Sequence, residues 1–174
     1  MEQFDFKDVE TQSGLQKTIT ASNLSAMMKA DAPDLPKLAT ALIIPDQALM
    51  EFEILNSTFL DYPEVVIAPS KGNLSRQVNP STVPFKYGRA YETDAFYPNQ
   101  LAQFDSPYIL RDVRGQNLQL FPFQYNPVTK VLRVYNEIKI RVFTTSNGGE
   151  NKFTRTKTIN LSTAILINCI KNNF

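Results

Sequence analysis

The chain has 174 residues, 43% of them hydrophobic and 11% aromatic, with 18 basic and 17 acidic side chains and a net charge of +1. That length suits one domain with appendages and a sizeable core, and the near balance of charge gives no general electrostatic reason to expect nucleic acid or an anionic membrane as partner. Histidine is absent and Cys169 is alone, which excludes an internal disulfide, a cysteine-based structural zinc site and self-contained Ser-His-Asp or Cys-His catalysis.

A carboxylate pair or a lysine remains chemically available, but no spacing marks one. The aspartates Asp31, Asp34 and Asp46 are scattered among prolines without metal-ligand spacing, so neither metal nor cofactor is expected and the chain reads as non-catalytic. The opening "MEQFDFKDVE" is polar and acidic, unlike a secretory signal. It leaves two readings, a cytoplasmic chain or one that starts after a removed signal. The longest apolar run, "LSTAILINCI", has about half the roughly 20 residues that a membrane helix needs.

In chain order, residues 1–30 form a polar N-terminal segment. Within it "SNLSAMMKA" places Leu24, Met27 and Met28 at helical spacing behind a Ser22 or Asn23 cap, which predicts one short helix. From Asp31 prolines dominate. Pro33 and Pro36 argue against a continuous helix, and "LATALIIP" reads as a strand ended by Pro45. In "ALMEFEILN", Met50, Phe52 and Ile54 alternate as on a half-buried strand, and "STFLDYPEVVIAP" continues it in extended form. "NLQLFPFQYNP" alternates again, "YNPVTK" is a turn, and "TKVLRVYNEIKIRVFTT" is the clearest strand of all. There Leu132, Val134, Ile138, Ile140 and Val142 share one face with Asn136, opposite Arg133, Glu137, Lys139 and Arg141. A hairpin pairing residues 118–123 with 131–143 follows.

This pattern predicts an all-β fold, an antiparallel β-sandwich of jelly-roll-like type with one or two short accessory helices. The sandwich core is expected over residues 31–145 and a C-terminal tail over 146–174. The tail lacks periodicity and is left open between helix and strand. Cys169, among Ile165, Leu166, Ile167 and Ile170, reads as an inert buried thiol.

Two stretches stand out as candidate sites. "YILRDVRGQ" gathers Arg111, Asp112 and Arg114 ahead of a strand. It reads either as a surface ion-pair cluster with Gly115 at a turn or bulge, or as an interface patch that clamps a partner. "SKGNLSRQVNPSTVP" lifts the bulky cation Arg76 onto a loop bounded by Pro69 and Pro84, with Gly72 permitting a positive φ or a close approach. The plain reading is a solvated arginine. The sharper one is a stiffened reactive loop like that of a protease inhibitor, whose planar guanidinium fills a pocket and pairs bidentately with a carboxylate at its floor.

The blocks "VVIAPSKGNLSRQVNP", "VPFKYGRAYETDAFYP", "SPYILRDVRGQ" and "QYNPVTKVLRVYNEI" strongly resemble the N-terminal prodomain of the arginine-specific gingipains, bacterial cysteine peptidases with a caspase-like catalytic domain. The resemblance covers residues 33–143; residues 1–30 match poorly, and "INLSTAILINCIKNNF" resembles neither the family's helix before the processing site nor its terminal arginine. It implies a β-sandwich propeptide, periplasmic or secreted, that chaperones and inhibits the catalytic domain of a gingipain-type peptidase. It also implies a loop over residues 71–80, including Lys71 and Gly72, that sends Arg76 into the specificity pocket, flanked by Ser75 and Gln77. Lysine-specific relatives carry Lys at that position, as pocket filling requires. Arg155, in "KFTRTKT", offers an arginine-specific peptidase a cleavage point. An isolated prodomain, a truncated copy and a free-standing inhibitor are all consistent with this length. The competing readings are an adhesion or carbohydrate-binding sandwich using Tyr87, Tyr91, Phe96 and Tyr97, and a relic without a surviving target.

Overall fold

The computed structural model describes residues 4–154 together with the backbone of 164–171. Eleven strands run through these residues: β1 (Phe4–Thr11), β2 (Gly14–Ala21), β3 (Ser25–Ala26), β4 (Pro36–Ile43), β5 (Ala48–Tyr62), β6 (Ala102–Phe104), β7 (Tyr108–Leu110), β8 (Val113–Leu120), β9 (Phe123–Asn126), β10 (Val131–Asn147) and β11 (Ala164–Lys171). They form a two-stranded sheet β1-β2, a four-stranded sheet β11-β10-β5 with β9 also on β10, and a five-stranded sheet β3-β4-β8-β6 with β7 also on β8. Two single 3-10 turns, Pro80–Thr82 and Arg89–Tyr91, are the accessory helices. The fold is the antiparallel, sandwich-type β architecture expected from the sequence.

The contacts divide into two compact units. One comprises Met1–Leu38, Phe59–Leu101 and Phe121–Tyr135, the other Ala39–Thr58, Ala102–Leu120 and Asn136–Phe174. The first is built on Ile19, Leu35, Val65, Ile67, Phe123, Tyr125, Leu132 and Val134. Phe4 at the start of β1 sets its ring edge-on to Phe123 and Tyr62, at 5.4 and 5.9 Å. Among the buried residues of the second unit are Leu42, Ile44, Met50, Leu118, Leu120, Ile138, Ile140 and Val142. The two-residue alternation of β10 is therefore real: Leu132, Val134, Ile138, Ile140 and Val142 are all fully buried. The turn before it is fixed by Asn126, whose Oδ1 accepts the N–H groups of Val128 (3.0 Å) and Thr129 (3.2 Å), with Lys130 in the left-handed region.

Two expectations change and one left open is decided. The short helix predicted after Ser22 or Asn23 does not form. Ser25 and Ala26 pair as strand β3 with Lys37 and Pro36, while Asn23 and Met28 take φ values of 64° and 54° that a right-handed helix forbids. Leu24 and Met27 still pack on the core, but from an extended segment whose polar backbone is satisfied by a neighbouring strand. The hairpin predicted for residues 118–123 is split at Pro122. Leu118 and Leu120 pair with Phe104 and Ala102 in β6, whereas Phe123–Asn126 pairs with Val131–Val134. Proline brings no N–H to a ladder; Phe121 donates to the Leu101 carbonyl and Pro122 only accepts, from Tyr135. The C-terminal stretch is open between helix and strand in the sequence, and its described part, Ala164–Lys171, is strand β11, antiparallel to β10.

Candidate functional site

The Arg76 loop begins from a well-anchored base. Residues 65–70 are irregular, yet much of their backbone is hydrogen-bonded to other segments. Val66 and Ala68 exchange bonds with Lys17 of β2 (both 2.8 Å), and Ser70 exchanges bonds with Ala32 and Asp31 (2.8 and 3.0 Å). The Ser70 hydroxyl then accepts the Gly72 N–H at 3.2 Å. Gly72 has φ +77°, and a Cβ there would stand 2.9 Å from Cβ of Ala30. Both the backbone conformation and the space demand glycine at this point.

At the tip, the Ser75 carbonyl accepts the Val78 N–H at 2.9 Å, closing a four-residue turn with Arg76 and Gln77 at its two central positions. The Ser75 hydroxyl also accepts the Gln77 N–H, at 3.4 Å. Ser75, Arg76 and Gln77 are exposed, and no hydrogen bond or ion pair engages the Arg76 guanidinium among the described residues. Beyond the turn, Asn79 caps the 3-10 turn: its Oδ1 accepts from Ser81 N at 3.0 Å and from the Ser81 hydroxyl at 2.8 Å. The descending limb returns to the same base, where Gly88 N donates to the Asp31 carbonyl at 2.7 Å.

The structure thus gathers Ser75, Arg76 and Gln77 in one exposed turn and places Lys71 and Gly72 apart from it, where the loop leaves its base. The Lys71 ammonium is committed inward. It donates to the Pro80 carbonyl at 2.8 Å and lies 4.1 Å from the centre of the Phe85 ring.

The second candidate does not survive as a surface cluster. Arg111, at φ 56°, and Asp112 are exposed in the tight connection between β7 and β8. Arg114 is fully buried, and its guanidinium donates to the carbonyls of Pro45 (2.7 Å), Ala48 (2.8 Å), Glu150 (2.6 Å) and Asn151 (3.0 Å). Strand alternation turns Arg114 inward, and four carbonyl dipoles replace the water it gives up. Its hydrogen bonds go to backbone carbonyls rather than to Asp112. Gly115 serves neither turn nor bulge: a Cβ there would fall 2.6 Å from the Tyr108 ring, so the ring needs the vacancy.

The four aromatics are also occupied structurally. Tyr91 donates its hydroxyl to the Ile67 carbonyl at 2.9 Å, and burial pushes its ionisation up. Tyr87 packs edge-on against Tyr91, Tyr97 exchanges backbone bonds with Tyr125, and Phe96 covers the Arg133 guanidinium. All four are half-buried, whereas sugar stacking uses a flat exposed ring face. Within the described residues no cluster of metal-ligating side chains occurs, and no helix is long and apolar enough to cross a membrane. Arg155 and the side chain of Cys169 lie outside the described residues.

Residues that sequence reasoning passed over lie beside the loop. Gln12 Nε2 donates to the Phe85 carbonyl, and the Thr11 hydroxyl lies 3.2 Å from that of Tyr87. These partners are more than seventy positions apart, and no local pattern could have joined them.

An exposed basic turn on an all-β scaffold is consistent with the resemblance seen in the sequence, and comparison of the whole chain decides it. Residues 1–169 match the Propeptide_C25 family. The chain belongs to that family. The match takes in residues 1–30 and most of the C-terminal tail, so the likeness is wider than the 33–143 core that the sequence blocks suggest.

This Propeptide_C25 chain is 40% identical over 157 residues to gingipain R2 of Porphyromonas gingivalis, covering 90% of this chain and 21% of that protein. It is 26% identical over 140 residues to Lys-gingipain HG66 of the same organism, covering 77% of this chain and 8% of that protein. The chain therefore spans about a fifth or less of the curated relatives named here. Among solved structures it resembles a chain of the complex of Porphyromonas gingivalis RgpB pro- and mature domains, with a TM-score of 0.85, 39% identity, and coverage of 90% of this chain and 82% of that one. A gingipain K structure concerned with zymogenic latency shares the fold, with a TM-score of 0.70, 24% identity, and coverage of 82% of this chain and 81% of that one.

Proposed function

We propose that this propeptide holds a gingipain-type, arginine-specific cysteine peptidase inactive by placing Arg76 in its specificity pocket, with Ser75 and Gln77 against the flanking subsites. The observation that carries the reading is the exposed, uncommitted guanidinium of Arg76 at the summit of a turn whose two limbs return to one anchored base. A guanidinium can pair bidentately with a pocket carboxylate, and a stiff loop loses less conformational freedom on binding than a slack one. The role is non-catalytic and non-covalent, with the catalytic domain of such a peptidase as partner and, by family likeness, a periplasmic or secreted setting. The same scaffold would serve to chaperone folding of that domain. A stable complex would need roughly 1,200–2,000 Å² of total interface, more than one turn offers, so other surfaces contribute.

The test is a titration of the mature domain of RgpB and of a lysine-specific gingipain with the wild-type chain, Arg76→Ala and Arg76→Lys. Wild type should inhibit the arginine-specific enzyme, and Arg76→Ala should weaken inhibition by about tenfold or more, about 1.4 kcal/mol. Arg76→Lys should shift preference toward the lysine-specific enzyme. Equal inhibition by wild type and Arg76→Ala would remove Arg76 from the mechanism and leave the propeptide role standing.

A further inference from the structure

We propose that the tip of the N-terminal β1–β2 hairpin and Lys71 together form a clasp on Phe85 and Tyr87 that fixes the Arg76 loop in its presenting conformation, so that the hairpin sets the strength of inhibition. The inference rests on the loop reading above and extends it to a part of the chain that never approaches the tip in sequence.

The loop leaves its base at Ser70 and re-enters at Phe85. A connection of that length is entropically inexpensive to close but has many conformations open to it unless its limbs are tied. Lys71 ties them twice. Its ammonium bonds the Pro80 carbonyl on the opposite limb at 2.8 Å and rests 4.1 Å above the Phe85 ring. The hairpin adds the other half. Gln12 Nε2 donates to the Phe85 carbonyl, so that residue is held through its ring from one side and through its backbone from the other.

Thr11 completes the clasp. Its hydroxyl donates to the Gly14 carbonyl at 2.9 Å and accepts the Ser13 N–H at 3.1 Å. With its single proton thus used, it must accept from the Tyr87 hydroxyl at 3.2 Å. Tyr87 in turn packs edge-on against Tyr91 at 4.9 Å, and Tyr91 is bonded to the Ile67 carbonyl at the base of the ascending limb. Hairpin tip, descending limb and base are therefore one connected set of contacts, and none of them uses Arg76.

The full chain would be compared with Lys71→Met, Gln12→Ala and Lys71→Arg, reading amide hydrogen exchange over residues 74–79 in the free protein and inhibition of the mature domain of RgpB. Lys71→Met and Gln12→Ala should each speed exchange in that stretch while β9 and β10 stay protected, and weaken inhibition by about three- to tenfold. Lys71→Arg, which keeps a cation over Phe85, should restore both readouts at least in part. Unchanged exchange in the loop would overturn the clasp, as would acceleration spread evenly through the sheets. Faster loop exchange with undiminished inhibition would overturn the link between clasp and latency. If Arg76→Ala leaves inhibition intact, the loop reading fails, and the exchange result still decides whether the clasp exists.

Discussion

The carbonyl oxygen of Ala48 lies 2.8 Å from Nη1 of Arg114, and that arginine is wholly buried. Nη1 also bonds Pro45, while Nε and Nη2 reach Asn151 and Glu150, so one side chain ties the start of β5 to the segment that follows β10. Burial draws the Arg114 guanidinium below its ordinary value, with Asp46 opposing that shift. The charge is tolerated because carbonyl dipoles surround it. Truncation removes the donors and takes from the buried Ala48 carbonyl its guanidinium partner.

Arg114→Met should therefore cost about 3 kcal/mol or more, seen as a lowered urea midpoint. Arg114→Lys should recover only part of the loss, because an ammonium cannot span four divergent carbonyls. A change below about 0.5 kcal/mol, the range of ordinary surface substitutions, would contradict the buried network.

The two glycines beyond β10 should behave differently. A Cβ on Gly149 would stand 2.3 Å from the Ala48 carbonyl oxygen and 2.6 Å from Arg114 Nη2, whereas one on Gly148 meets nothing nearer than the Ser146 hydroxyl at 3.9 Å. Gly149→Ala should destabilise by roughly 1–3 kcal/mol through overpacking, and Gly148→Ala should be near neutral. Thermal melts of the two variants side by side check this, and equal effects would argue against the packing around Arg114.

Asp34 gives a pH dependence of one sign. Burial raises its carboxyl above the ordinary 3.8, with the hydrogen bond from Ser70 opposing. The folded state then holds a proton more firmly than the unfolded chain. Stability linked to neutral Asp34 is complete below 3.8 and is lost as pH rises through the raised value. Asp34→Asn keeps an acceptor for Ser70 and no charge, so it should match or exceed wild type at pH 7 and lose that advantage in acid. Urea midpoints across this range read the difference directly.

Asp61 has the opposite sign. Its two oxygens accept from Arg133 Nε and Nη2 at 2.8 and 2.9 Å, and that hydrogen bonding holds its carboxyl below 3.8. The contribution is present above 3.8 and disappears as pH falls through the lowered value. Because the Asp61 side chain is 39% exposed, solvent screens the pair, and Asp61→Asn should cost only about 0.5–1 kcal/mol at pH 7. The gap between variant and wild type should close in strong acid. A gap that persists there would mean that the charge is not the source.

The sequence by itself determined the features whose causes are local. Strand β10 alternates because its aliphatic residues recur at the two-residue period of a pleated chain, the Asn126 turn follows from one side-chain oxygen reaching backbone two and three residues on, and the exposure of Arg76 follows from its place in a polar stretch between prolines. The family likeness was legible too, because short blocks keep their order along the chain. Only the tertiary structure decided the rest. Leu24 and Met27 have helical spacing, yet β4 supplies backbone partners that make Ser25 and Ala26 a strand. Arg114 shares a short polar run with Arg111 and Asp112, yet carbonyls 36 to 69 positions away make it a core residue. Lys71 looks like a loop contact until Pro80 and Phe85 are seen to occupy its ammonium. In each case the deciding free energy comes from a partner distant along the chain, and local pattern contains no information about where that partner will be.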